Sequence, residues 1–211
     1  MTACGGENSS AAGSGGSGRQ DGDSLEGHEE KAPAVLTAAQ LDTAISGGEG
    51  IPEDWGGRSS DVYEGPKAVT ACRLEAETGC AGLTAMAMRL LENQTLEELQ
   101  ASDDGQTMYI KAYSFDSAEN AAVTVKAMAA AEHEESPDAE PLRITTAAPY
   151  TDALSEERGE DDYSAKVFLR TGSVVITLWG TDLKNTADMQ PIAKSRVDRV
   201  LKVAAGENPD A

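Results

Sequence analysis

The sequence predicts an α+β domain: a single antiparallel sheet packed by helices, following a disordered N-terminal tether. Three observations carry the prediction. Period-two runs at Met108–Phe115 and on both sides of Thr171-Gly172 read as strands. Apolar residues at helical spacing recur near the start, middle and end of the domain. Residues Gly5 to Ala32 are built of Gly, Ser, Asp and Glu, with only Leu25 and a few Ala as apolar content, too little buried surface to offset chain entropy. The 211 residues therefore divide into a tether at 1–33, a domain at 34–205 and a disordered tail at 206–211.

Within the domain, Thr37 stands as N-cap of a helix that carries Leu41, Ala44 and Ile45 on one stripe and is stopped by Gly47-Gly48. Ile51 to Gly57 reads as a loop holding Trp55, either a lid on the core or part of a ligand rim, since an indole left in water wastes its apolar area. Leu83, Met86, Leu90 and Leu91 keep helical spacing and predict a short core helix over Ala81–Glu92. After the strand Met108–Phe115, Asp116 or Ser117 caps a helix running to about Glu134, with Ala118, Ala122, Val125 and Ala129 along a small-residue face. Leu142–Thr146 is a further strand candidate. Asp162–Arg170 and Ser173–Trp179 form a hairpin, and Ala193, Val197, Val200, Leu201 and Ala204 trace the buried stripe of a terminal helix.

Charge narrows the partners. Seventeen basic residues against 37 acidic ones give a net charge of −20 spread along the chain, which argues against nucleic acid and against direct adhesion to anionic headgroups. The same acidity keeps a surface soluble. No apolar run approaches the roughly 20 residues that span a bilayer, so membrane attachment would come through lipid. Met1-Thr2-Ala3-Cys4-Gly5-Gly6 resembles the end of a bacterial lipobox, in which small residues precede a cysteine that becomes the lipid-modified first residue. Cys4 is the expected lipidation site; the alternative is a stray thiol. The charged start and apolar run of a signal peptide are missing, so the chain reads as trimmed, and made in this form it would be soluble. As a flexible coil the tether reaches on the order of 30 Å, enough to hold a domain clear of the extracytoplasmic face of a membrane.

Cys72 and Cys80 enclose the turn-like Glu77-Thr78-Gly79 and, outside the cytoplasm, pair as a disulfide. Zinc is a poor fit, because beyond these two the chain offers Cys4, His28 and His133. Met86 and Met88 form a Met-x-Met pair of the kind that soft Cu(I) sites use, but their apolar neighbours point to core packing. The carboxylates of Glu156 to Asp162 could take Ca²⁺ or act as acid and base, while a run of like charges reads as a solvated loop. His28 falls in the tether and His133 at a helix end among Glu132, Glu134 and Glu135, where it reads as solvent-exposed. Neither forms a Ser-His-Asp or Cys-His setting, and no Gly-rich phosphate loop follows a strand, so no catalytic residue, metal or cofactor is expected.

Three stretches carry a resemblance: Val35 to Leu41 leading to Pro52-Glu53-Asp54-Trp55, the passage from Tyr109 to Ala130, and Arg170 to Thr177 before the final helix. Through them residues Val35 to Val203 resemble actinobacterial, Streptomyces-like extracytoplasmic lipoproteins related to the sensor domains of membrane-anchored serine/threonine kinases. The resemblance implies an extracellular binding or sensing role and supplies no residue-level site. The leading expectation is a non-enzymatic, lipid-anchored protein that modulates envelope signalling by binding the outer part of a membrane sensor kinase or receptor. The alternative is a small-molecule binder with Trp55, Tyr63 or Trp179 as aromatic walls of a cleft beside the sheet; an envelope enzyme is the third class.

Overall fold

Thr37 starts the fold as the sequence suggests: its side chain accepts from the Gln40 amide, and Gln40 reaches back to the Thr37 N–H at 3.0 Å. The computed structural model describes residues 35–74, 79–93 and 105–211; Cys4, His28 and the tether lie outside them. The helix so capped, α1 (Ala38–Ser46), buries Leu41, Ala44 and Ile45. It ends at Gly47, where a Cβ would lie 2.0 Å from the guanidinium carbon of Arg199, so packing rather than backbone conformation demands glycine.

The described strands are β1 (Trp55–Glu64), β2 (Leu83–Asn93), β3 (Thr107–Phe115), β4 (Glu140–Pro141), β5 (Tyr150–Gly159), β6 (Asp162–Thr171) and β7 (Val174–Leu183). They form one antiparallel sheet in the order β1-β2-β3-β7-β6-β5-β4. Helix α2 (Pro66–Arg73) precedes β2, α3 (Ala118–Glu135) follows β3, and α4 (Met189–Ala204) closes the domain. Helices α1 and α4 cover one face of the sheet, α2 and α3 the other, which is the α+β class read from the sequence. Because side chains alternate along a strand, neighbours serve different cores: Ala112, Leu169 and Ile176 face α1 and α4, while Tyr113, Phe168 and Val175 face α2 and α3.

Four expectations are corrected. Ala81–Glu92 is not a helix but falls almost entirely in β2, hydrogen-bonded on both sides to β1 and β3. Ala85, Ala87 and Leu91 enter one core and Leu83 and Met86 the other, and a strand buried on both faces shows a continuous apolar run that periodicity cannot tell from a helix. Trp55 does not sit in a loop but begins β1. Leu142–Thr146 lies outside the ladder past β4: after Leu142 N donates to Ala153 O, Thr145 pairs with the Gln190 side chain, which binds its N–H and C=O at 2.8 Å each. The acidic run from Glu156 to Asp162 is the end of the β5–β6 hairpin rather than a loop, with Asp161 at φ 55° in its turn.

The core beneath α1 and α4 is closed by arginines. Fully buried Arg196 donates to the carbonyls of Ile45 (2.8 Å), Gly47 (2.7 Å) and Glu49 (2.8 Å). Arg199 donates to Ala44 O (3.0 Å) and Thr43 O (2.8 Å), and Arg89 of β2 donates to Ser46 O. Those of Thr43, Ala44, Ile45 and Ser46 are the carbonyls that a helix C-terminus leaves without partners, at the negative end of its dipole. Burial, reinforced by Arg199 and Arg89, pulls the Arg196 pKa down to about 10. Residues 206–211, read as a disordered tail, fold back here: Pro209 is buried, and Arg199 donates to Asp210 Oδ1 at 2.5 Å.

Candidate functional site

The α2/α3 face is built differently. Its core joins Met86, Tyr113, Phe115, Val125, Phe168 and Val175 to the Cys72–Cys80 disulfide, which ties the last turn of α2 to the entry of β2. Thr124 of α3 donates to Gly79 O, so the helix grips the same junction. Ser117 caps α3, and the buried side is Ala121, Thr124, Val125, Met128, Ala129 and Glu132, rotated from the small-residue face read in the sequence.

Beside α3 the sheet presents a row in register: Tyr109 opposite Trp179, and Trp179 opposite Lys166. The rings of Tyr109 and Trp179 stack at 5.4 Å between centroids with 28° between planes. Lys166 Nζ lies 5.0 Å from the centroid of Trp179 and Lys111 Nζ 5.6 Å from that of Tyr109, so each ring has an ammonium over its face. The next row is Lys111, Thr177 and Phe168.

A cleft of about 340 Å³ opens over these rows. Its floor is Lys111, Tyr113, Phe168, Thr177 and Trp179; Leu74, at the end of α2, and Met128, Glu132 and Glu135, from α3, form its sides. Lys166 forms an ion pair with Glu132, which also accepts from Ser136 Oγ at 3.0 Å. The paired side chains border a second hollow of about 220 Å³ on the side of Glu156 and Arg158. The cleft thus mixes the aromatic surfaces of Tyr113, Phe168 and Trp179 with fixed charges, and aromatic walls with a few placed polar groups are what small-molecule sites use.

The three aromatic candidates from the sequence do not meet. Trp179, 37 % exposed, lines the cleft. Tyr63 is half-buried on β1 in a separate shallow hollow with Pro66, Thr70 and Leu74. Trp55 is on the opposite face, buried in the α1/α4 core with Nε1 3.3 Å from Asp188 Oδ2, in the role of a lid rather than of a ligand rim. Sequence reasoning passed over Lys111, Lys166, Glu132 and Phe168. A signal existed for the lysines: each interrupts an apolar strand, and a charge on a strand buried on one side marks where the other side opens. His133 is exposed, with Nε2 3.2 Å from Asp152 Oδ1. Among the described residues no helix is long and apolar enough to cross a membrane, and no three His, Cys, Asp or Glu side chains gather as metal ligands do.

Residues 34–205 match the family model described as the N-terminal Domain of unknown function (DUF7373). The chain belongs to that family. No curated protein matches this DUF7373 domain. Among solved structures it is similar to the crystal structure of the extracellular domain of PknH from Mycobacterium tuberculosis, at 12% identity and a TM-score of 0.49, over 80% of this chain and 93% of that one. A likeness at that level carries no weight for what the DUF7373 domain binds or does.

Proposed function

We propose that this chain is a non-enzymatic, extracytoplasmic binding domain that takes a small molecule in the cleft beside Trp179. The observation that carries the reading is the cleft itself: a concave surface of mixed polar and apolar character, with an exposed indole and a few placed charges. Binding rather than turnover is supported by the engagement of the Glu132 carboxylate with Lys166 and Ser136. Placement outside the cytoplasm is supported by the Cys72–Cys80 disulfide. In the same proposal Cys4 carries a lipid, residues 1–33 tether the domain at 34–205 to the membrane, and the bound domain acts on the outer part of a membrane sensor kinase or receptor, where a leash raises local concentration enough for weak contacts to regulate.

The test is a thermal-shift screen of small polar and amphipathic compounds against the chain and its Trp179→Ala variant. Ligands that bind only the folded state raise the melting temperature, so compounds that shift the parent and not the variant are the expected result. A screen in which nothing shifts the parent overturns the reading. Crosslinking in cells that make the full precursor tests the location: capture of a membrane receptor, lost on Cys4→Ala, is expected, and unchanged capture after Cys4→Ala removes the anchor from the proposal.

A further inference from the structure

The charges around the cleft do not balance. Lys166 and Glu132 neutralise each other between floor and wall. Lys111 is engaged as well, with its ammonium over the Tyr109 ring. On the side of the second hollow, Arg158 pairs with Glu156 at 3.8 Å. Glu135, exposed in the last turn of α3, borders both hollows and makes no hydrogen bond or ion pair among the described residues. Among the described groups that line the cleft, the charge left unanswered is therefore negative. An anion would meet cations that already have partners and a carboxylate that repels it, in the field of a chain whose net charge is −20. A neutral compound gains apolar contacts alone. A cation gains both, because Leu74, Met128 and Phe168 line the same cleft as Glu135, and a volume of about 340 Å³ suits one ring on a short chain rather than a folded partner.

We propose that the cleft recognises an organic amine with an apolar body: its ammonium toward Glu135 and its body against Leu74, Met128 and Phe168. This rests on the cleft being the ligand site proposed above. Calorimetric titration of the full chain with phenylpropylamine, phenylpropanol and phenylpropionate tests it, since the three differ mainly in the charge of one end group. The amine is expected to bind about threefold more tightly than the alcohol, the size of an exposed ion pair, and the carboxylate most weakly. Added salt should narrow the gap between amine and alcohol. Glu135→Gln should bring the amine to the level of the alcohol and leave the alcohol unchanged. Glu134→Gln removes the same charge one residue away, outside the cleft lining, and should change neither; circular dichroism confirms that both variants fold. An alcohol that binds as tightly as the amine, or a Glu134→Gln effect as large as that of Glu135→Gln, overturns recognition by Glu135 but leaves the cleft a binding site. Absence of binding by all three at millimolar concentration also overturns the amine; whether the cleft reading falls with it is decided separately by the Trp179 thermal-shift screen.

Discussion

The two faces of the sheet differ in what their charged groups do. Under α1 and α4, Arg196 and Arg199 are buried and spend their donors on backbone carbonyls of α1, of the Gly47–Glu49 turn and of Pro209, and on the Asp210 carboxylate. On the α2/α3 side, Lys111, Lys166, Glu132 and Glu135 border open space. One face uses charge to complete a core and the other to line a surface, and the smaller apolar core of the second is tied by a disulfide. Stability should therefore reside mainly on the first face and recognition on the second.

The strongest attempt to break that contrast is Arg196→Met. The substitution keeps apolar volume but leaves the carbonyls of Ile45, Gly47 and Glu49 without donors in a buried setting. A loss of about 3–5 kcal/mol in urea unfolding is expected. A loss below about 1 kcal/mol would mean that water or another donor replaces the guanidinium and that the arginines do not close this face. Next in size is the disulfide. Cys72 and Cys80 are 8 residues apart, a short loop, so replacing both with Ala should cost about 2.5 kcal/mol by the chain-entropy estimate. Unfolding under oxidising and reducing conditions measures it, and a cost exceeding that of Arg196→Met would reverse the ranking of the two faces.

The same contrast explains what was legible in the sequence. Caps, hairpin turns and one-sided stripes are local signals, and Thr37, Ser117, Thr171-Gly172 and the α4 stripe could be read directly because the chemistry that fixes them lies within a few residues. Strand β2 could not, because Ala, Leu and Met favour helices locally and only the ladders to β1 and β3 override that preference. Helix α2 went unread for a related reason: its eight residues bury only Ala68 and Cys72, too few for a stripe. At the site, Trp179 was visible as a large aromatic in a strand. Its neighbours were not, since Tyr109, Lys111, Glu132 and Lys166 come from three elements whose adjacency depends on β7 lying between β3 and β6. A buried arginine pair on a helix also contradicts the ordinary reading of Arg as surface, and the cause lies more than 140 residues away at the end of α1.

A smaller effect sharpens the electrostatics near the open face. The Tyr150 phenol is raised above its ordinary pKa, first by burial and then by the neighbouring Asp152 charge, to which its hydroxyl donates at 3.5 Å. A folded-state pKa above the unfolded one leaves stability intact below about pH 10 and removes it as pH rises through the folded value. Tyr150→Phe should abolish that part of the alkaline decline. Ultraviolet titration of the phenols, paired with unfolding at pH 9 to 11, checks it; identical decline in parent and variant would show that the hydroxyl is as well solvated folded as unfolded.

The last change is the most informative for recognition. Trp179 is 37 % exposed, contacts Tyr109 in the plane of the sheet surface and holds Lys166 over its ring. Trp179→Ala removes a partly buried indole and its stack on Tyr109, so its unfolding free energy should fall by about 1–2 kcal/mol. Tyr109, left without its stacking partner, still pairs through the β3 backbone, and Lys166 keeps Glu132. Ligand-dependent thermal shifts should nevertheless disappear. A much larger stability loss would instead make the indole a structural cover for Phe168 and Thr177, and the open face would then be a second, thinner core with no ligand to account for its exposure.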